Sequence, residues 1–193
     1  MVKSKRHLIR CLFISYINYY EKLPNNWILT TLSAAGSWKS GSTPDRHNTK
    51  FYNGEIPWIK TGELNDNLNL IKAEEYVTEL ALEMYALPIN KPGNVLVAMY
   101  GATIGKLAIN GIPVTTNQAC CGCSLYEGIF NKYLFYFIMA NKQKLIDLGA
   151  GGAQPNISKE KIQKFYFLMP PYREQIRMVR KIELVINILK QNF

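Results

Sequence analysis

The segment Phe165-Tyr166-Phe167-Leu168-Met169-Pro170-Pro171-Tyr172 changes character within eight residues. Five aromatic or apolar residues suit a short buried strand, two prolines stop it, and proline is well suited to the first turn of a helix. From Tyr172 onward, Val179, Ile182, Ile186, Leu189 and Phe193 fall on alternating three- and four-residue steps, with Gln175 in the one polar slot. That is an a/d pattern over three heptads, with Val and Ile at a and Ile and Leu at d. The spacing predicts a helix over 172–193, about 33 Å long at 1.5 Å per residue. Its stripe either pairs with another helix or docks on its own domain.

Upstream, short runs rich in β-branched or aromatic residues and bounded by Gly, Pro or Asn predict strands at 27–32, 56–61, 94–100, 105–109, 119–125 and 165–169. Helical spacing predicts Ala73–Ala86, with Val77, Leu80, Ala81 and Met84 on one face, and Lys132–Leu148, closed by Gly149. Strands and helices mix without strict alternation. The expected class is therefore α+β: one domain of short twisted strands flanked by helices, followed by a C-terminal coiled-coil helix.

A chain of 193 residues with 48% apolar content can build one globular domain with a core. Its net charge is +9, which favours a polyanionic partner. The charge is uneven. Residues 1–22 form a basic segment and 172–193 are basic again, whereas six acids face Lys72 alone between Glu63 and Glu83. Of the cysteines, Cys120, Cys121 and Cys123 lie in one apolar run, and the only histidines are His7 and His47. That spacing does not suit zinc, so no metal site is expected, and buried thiols in a reducing cytosol are the plainer reading. The N-terminal run 11–20 is interrupted by polar residues and lacks a small-x-small cleavage site, and no apolar stretch reaches membrane-span length. A cytoplasmic location, with no membrane partner, is the expectation.

Catalytic motifs are sparse. Gly101-Ala102-Thr103-Ile104-Gly105-Lys106 has three residues between its glycines and Leu107 after the lysine, so it departs from a phosphate loop. Met169-Pro170-Pro171-Tyr172 resembles the Asn/Asp-Pro-Pro-Tyr motif of adenine-N6 methyltransferases, but Met169 cannot hold the extruded base's amino group. No Asp/Glu-x-Lys triplet and no Gly-x-Ser-x-Gly occurs. The chain reads as a non-catalytic binder.

The order of its motifs from Leu23 onward resembles the specificity subunit of type I restriction–modification enzymes. The matching pieces include Leu23-Pro24 with Trp27, Gly41-Ser42-Thr43-Pro44, and Ile56-Pro57-Trp58-Ile59. Further on come Pro92-Gly93-Asn94-Val95-Leu96, Gly101 to Lys106, Thr116-Asn117-Gln118-Ala119 and Gly151 to Ser158, with Glu174-Gln175 opening the last helix. The resemblance implies a target-recognition domain over 23–171 and a conserved helical spacer from 172, cut short at 193. It implies double-stranded DNA as partner, read as one half of a split site. It also implies docking to modification and restriction subunits, which bring the S-adenosylmethionine, ATP and Mg chemistry, so no cofactor is expected on this chain. With one domain where family members carry two, the chain is expected to act as a half-size subunit or a truncated one, pairing with a copy or a second half through its helix. The competing readings are a DNA-independent coiled-coil or membrane-surface adaptor, and a lone adenine methyltransferase fragment.

Within that frame, amides and hydroxyls can read base edges and cations can hold phosphates. The candidates around the first two motifs are Ser42, Thr43, Arg46, Lys50, Lys60 and Thr61. Thr103 and Lys106 lie on the Gly-flanked turn, and Asn117 and Gln118 on the next. Gln154, Asn156, Ser158 and Lys159 follow the Gly-Gly pair. Val179, Ile182, Ile186, Leu189 and Phe193 form the expected pairing stripe.

Overall fold

The computed structural model describes residues 23–149 and 156–191. The basic segment 1–22, Gln154 and Phe193 lie outside them. Continuous apolar runs nucleate the centre. Strands β6 (Val95–Ala98), β7 (Leu107–Asn110) and β9 (Cys120–Leu125) pair antiparallel, β9 with β6 and β6 with β7. The β6 and β7 residues are all buried, without the alternation of a one-sided sheet, because both faces are covered. Strands β2 (Gly36–Ser40) and β4 (Asn67–Leu70) complete a sheet of order β2-β9-β6-β7-β4.

One face of this sheet, through Val95, Val97, Leu107, Ile109, Cys121 and Cys123, packs on α2 (Asn131–Ala140) and α5 (Tyr172–Gln191). The other face, through Leu96, Ala98, Ala108 and Cys120, meets Ile59 and Val114. Those two residues belong to, or adjoin, a second sheet of β5 (Glu75–Val77), β3 (Tyr52–Ile59) and β8 (Thr115–Thr116), in the order β5-β3-β8. A two-stranded ribbon pairs β1 (Ile28–Thr31) with β10 (Tyr166–Met169). Short helices α1 (Glu79–Met84), α3 (Lys142–Gly149) and α4 (Lys159–Gln163) complete the mixed α+β arrangement.

The sheets are stitched where β2 ends. The Gly41 N–H donates to the Cys120 carbonyl at 3.2 Å and the Ser42 N–H to the Thr116 carbonyl at 3.1 Å. A Cβ on Gly41 would lie 1.9 Å from the Thr116 oxygen, so only glycine allows this approach.

Three expectations need correction. The predicted helix 73–86 is instead strand β5 followed by the single short helix α1. Val77 pairs with β3 and is fully buried, whereas Leu80 and Met84 are exposed. Edge pairing to β3 claims Glu75–Val77, and of the helical face only Ala81 reaches the core from α1. The predicted helix 132–148 is two helices, because Asn141 closes α2 and its side chain turns back to the Phe137 carbonyl at 2.9 Å.

The third correction concerns the C-terminal stripe. Val179, Ile182 and Ile186 are 2%, 4% and 6% exposed and belong to the domain's own core, with Met178 beside them. They are not a free pairing surface, and Leu189 is only half-buried. The polar slot explains the docking. Gln175 is fully buried; its Oε1 accepts from the Phe130 N–H at 2.8 Å, and its Nε2 donates to the Gly128 and Pro170 carbonyls at 2.9 Å. The Lys132–Glu183 ion pair at 2.8 Å closes the same contact from outside.

Two stability predictions result. Gln175→Leu strands the Phe130 N–H and the Gly128 and Pro170 carbonyls, of which only the Pro170 bond is wholly buried, and at up to about 1–3 kcal/mol for each unmade bond the domain should lose about 2–5 kcal/mol in urea unfolding. A loss below about 0.5 kcal/mol, the ordinary range for a harmless substitution, would show that these bonds do not hold the helix. Gly41→Ala should also lower the melting temperature measurably, and an unchanged melt would show that the two sheets can part without penalty.

Candidate nucleic-acid interface

Backbone hydrogen bonds gather the loops at one end of the sheets. Beyond the stitch at Gly41 and Ser42, the Asn117 N–H donates to the Ile59 carbonyl at 3.1 Å, which places Asn117-Gln118 beside Lys60 and Thr61. The Met99 N–H donates to the Ala119 carbonyl at 2.8 Å, and the Ile157 N–H to the Met99 carbonyl at 2.9 Å. Tyr100 and Asn156 form a further bridge. The turn Gly101–Thr103 is fixed by the Thr103 hydroxyl donating to the Tyr100 carbonyl at 2.8 Å. Gly105 sits at φ +69, with the aliphatic chain of Lys142 lying where a Cβ would go. Its neighbour Lys106 donates from Nζ to Asn65 Oδ1 at 3.1 Å.

Thus Ser42, Thr43, Lys60, Thr61, Thr103, Lys106, Asn117, Gln118 and Asn156 are drawn from loops tied to one another. Ser158 follows directly as the N-cap of α4, accepting from the Lys161 N–H at 3.2 Å, and Lys159 opens that helix. Some of these groups are partly used. The Thr43 hydroxyl donates to the Gln118 side-chain amide oxygen Oε1, while Lys159 lies 4.0 Å from Glu160. Asn117 Oδ1 is buried without a protein partner. Lys50 is not part of the gathering. It lies before β3, whose seven steps carry the chain roughly 23 Å to the loop edge, and its backbone carbonyl accepts from the Thr78 hydroxyl instead.

Arg46 and Lys60 are not bare cations. Both bind one carboxylate: Arg46 Nη1 reaches Glu75 Oε2 at 2.5 Å and Lys60 Nζ reaches Glu75 Oε1 at 2.7 Å, with Glu74 3.1 Å from Lys60. The two cations hold the Glu75 carboxyl below its ordinary range, chiefly through the Arg46 hydrogen bond, and Glu75 in turn raises both cations. The Arg46 guanidinium lies over the Tyr52 and Trp58 rings, 4.8 and 4.7 Å from their centroids. Glu63 accepts from the Lys60 and Glu74 backbone N–H groups at 2.8 Å and fixes the turn between them.

Sequence reasoning missed Asn65, Asp66, Tyr100 and Glu75. The dipeptide Asn65-Asp66 carried a legible turn signal, since both residues adopt positive φ, at 44° and 56°. Asp66 accepts from the Leu107 N–H at 3.1 Å, so the pair anchors the Lys106 turn. Glu75 was hidden inside the mistaken helix. Among the described residues no three His, Cys, Asp or Glu side chains converge as metal ligands, and no helix is long and apolar enough to cross a membrane.

Known proteins resemble this chain in sequence and fold. The MjaIX type I restriction enzyme specificity subunit of Methanocaldococcus jannaschii is 27% identical over 179 residues, covering 89% of this chain and 41% of that protein. The HsdS subunit from Thermoanaerobacter tengcongensis superimposes with a TM-score of 0.74 at 18% identity, over 98% of this chain and 46% of its own. A chain from a type I R-M system structure gives 0.77 at 16% identity, again over 98% and 46%. These likenesses show the fold, and the chain spans less than half the length of each relative. The family model for the type I restriction modification DNA specificity domain matches residues 24–192, and this chain belongs to that family.

Proposed function

We propose that the chain is a sequence-specific DNA-recognition subunit of a type I restriction–modification system, without catalysis of its own, reading one half of a bipartite target. The observation that carries this reading is the loop edge: hydroxyls, amides and Lys106 from chain-distant turns are hydrogen-bonded into one surface. A surface of that composition suits base edges and phosphates. The chemistry of the system belongs to modification and restriction subunits that the chain directs to DNA in the cytoplasm, and S-adenosylmethionine, ATP and Mg bind there.

Pairing with a second recognition half uses α5, but through a different face from the one the heptads suggested. Leu184 and Ile188 are 60% and 48% exposed on the helix side away from the domain. A homodimer or a second half-subunit would cover them, because exposed apolar patches of this kind favour association.

Three outcomes test the reading. Co-production with the modification subunit of the same genome should methylate adenines in one defined motif, and random methylation or none would sink it. Lys106→Ala should weaken binding to all duplexes alike and lower the slope of log K against log salt by about 1. Leu184→Asp with Ile188→Asp should shift sedimentation toward monomer and leave the thermal melt unchanged, whereas Ile182→Asp should unfold the domain. A wild type that is already monomeric at high micromolar concentration would refute pairing through this face.

A further inference from the structure

Arg46 is held on three sides. The Tyr52 and Trp58 rings, set edge to face, have their centroids 4.8 and 4.7 Å from the guanidinium carbon, Glu75 fixes one Nη1–H, and the side chain is still 47% exposed. Its platform is itself fixed: the Tyr52 hydroxyl donates to the Pro44 carbonyl at 2.6 Å and Trp58 Nε1 to the Ser42 carbonyl at 3.1 Å. Arginine side chains are ordinarily mobile and lose much rotamer freedom when they bind. Here that ordering is already complete, and no other described residue accepts from the remaining donors of the fork. A hollow of about 410 Å³, walled in part by Arg46, Tyr52, Glu74 and Tyr76, opens beside it.

A planar fork with open donors takes two adjacent acceptors, and duplex DNA offers these in two places, a phosphate and the O6/N7 edge of guanine. Local charge decides between them. Arg46 and Lys60 are balanced by Glu74 and Glu75, and Asp45 stands exposed next along the chain. A phosphate brought to this fork meets a neutralised cation and nearby carboxylates. A guanine edge is uncharged and meets only the open donors. We infer that Arg46 is a guanine-reading, specificity-determining side chain, with Glu75 as its positioning residue and the Tyr52–Trp58 pair as its floor. The inference rests on the recognition reading above and adds one chemical letter to it.

The test is selection by the full chain from a random-sequence duplex pool at low salt, followed by replacement of each guanine in the enriched motif by 7-deazaguanine, which lacks the N7 acceptor. Wild type should lose about tenfold or more in affinity at one guanine, the scale of a bidentate base contact. Arg46→Ala, which leaves no donor at the position, should select the same motif with that position degenerate and should be indifferent to the replacement. Glu75→Gln should keep the preference but weaken it several-fold. Insensitivity of the wild type to every replacement overturns the inference with no variant needing to fold. A uniform loss across all sequences in Arg46→Ala, with the guanine preference kept, also overturns it and assigns the fork to a phosphate. If the wild type enriches no motif, the recognition reading fails first and takes this inference with it.

Discussion

A Cβ at position 41 would stand 1.9 Å from the Thr116 carbonyl oxygen, and the whole loop edge depends on that missing atom. Because Gly41 passes so close, the end of β2 hydrogen-bonds to both Thr116 and Cys120, which lie in different sheets. The five-stranded and three-stranded sheets therefore end at one place. Ser42 and Thr43 leave the stitch on one side and Asn117 and Gln118 on the other, and Trp58 reaches back to the Ser42 carbonyl. A recognition surface built from loops needs a rigid scaffold beneath it, and here one close backbone contact supplies the common origin.

The strands were legible where burial was two-sided. Val95–Ala98, Leu107–Asn110 and Cys120–Leu125 lie within a residue or two of the apolar runs that predicted them, because a strand covered on both faces writes itself as an unbroken apolar stretch. Gly36–Ser40 and Asn67–Leu70 were invisible for the opposite reason, since both sit at sheet edges and carry polar side chains. The stretch 73–86 misled because Val77, Leu80, Ala81 and Met84 fit a helical face, and spacing does not say which of four apolar residues finds a core. The heptads of α5 were real as a periodicity. Gln175, whose buried amide satisfies three backbone groups where α5 meets the domain, decided what the stripe packs against.

The candidate site was legible as a set of loops but not as an electrostatic arrangement. Composition gives an excess of nine positive charges without saying which cations already have partners. In the sequence, the acids between Glu63 and Glu83 face Lys72 alone. Folding lays Glu74 and Glu75 against Lys60 and Arg46, fourteen to twenty-nine residues away in sequence. Lys106, by contrast, hydrogen-bonds the uncharged Asn65 amide and forms no such ion pair. Pairing in the fold thus separates the cations that already carry a carboxylate partner from Lys106, which has none among its described contacts.

The three thiols of β9 have a consequence for how the molecule can be watched. Cys120, Cys121 and Cys123 are fully buried, and burial pushes all three thiols up, Cys121 to about 12. At neutral pH almost none of this sulfur is thiolate, the form that alkylating and oxidising reagents attack. Reagent reaches it only when the central sheet itself opens. Each cysteine is therefore a clock set inside the fold, silent while β2, β9 and β6 stay paired, and its labelling rate counts the openings of the strand from which the whole loop edge is hung.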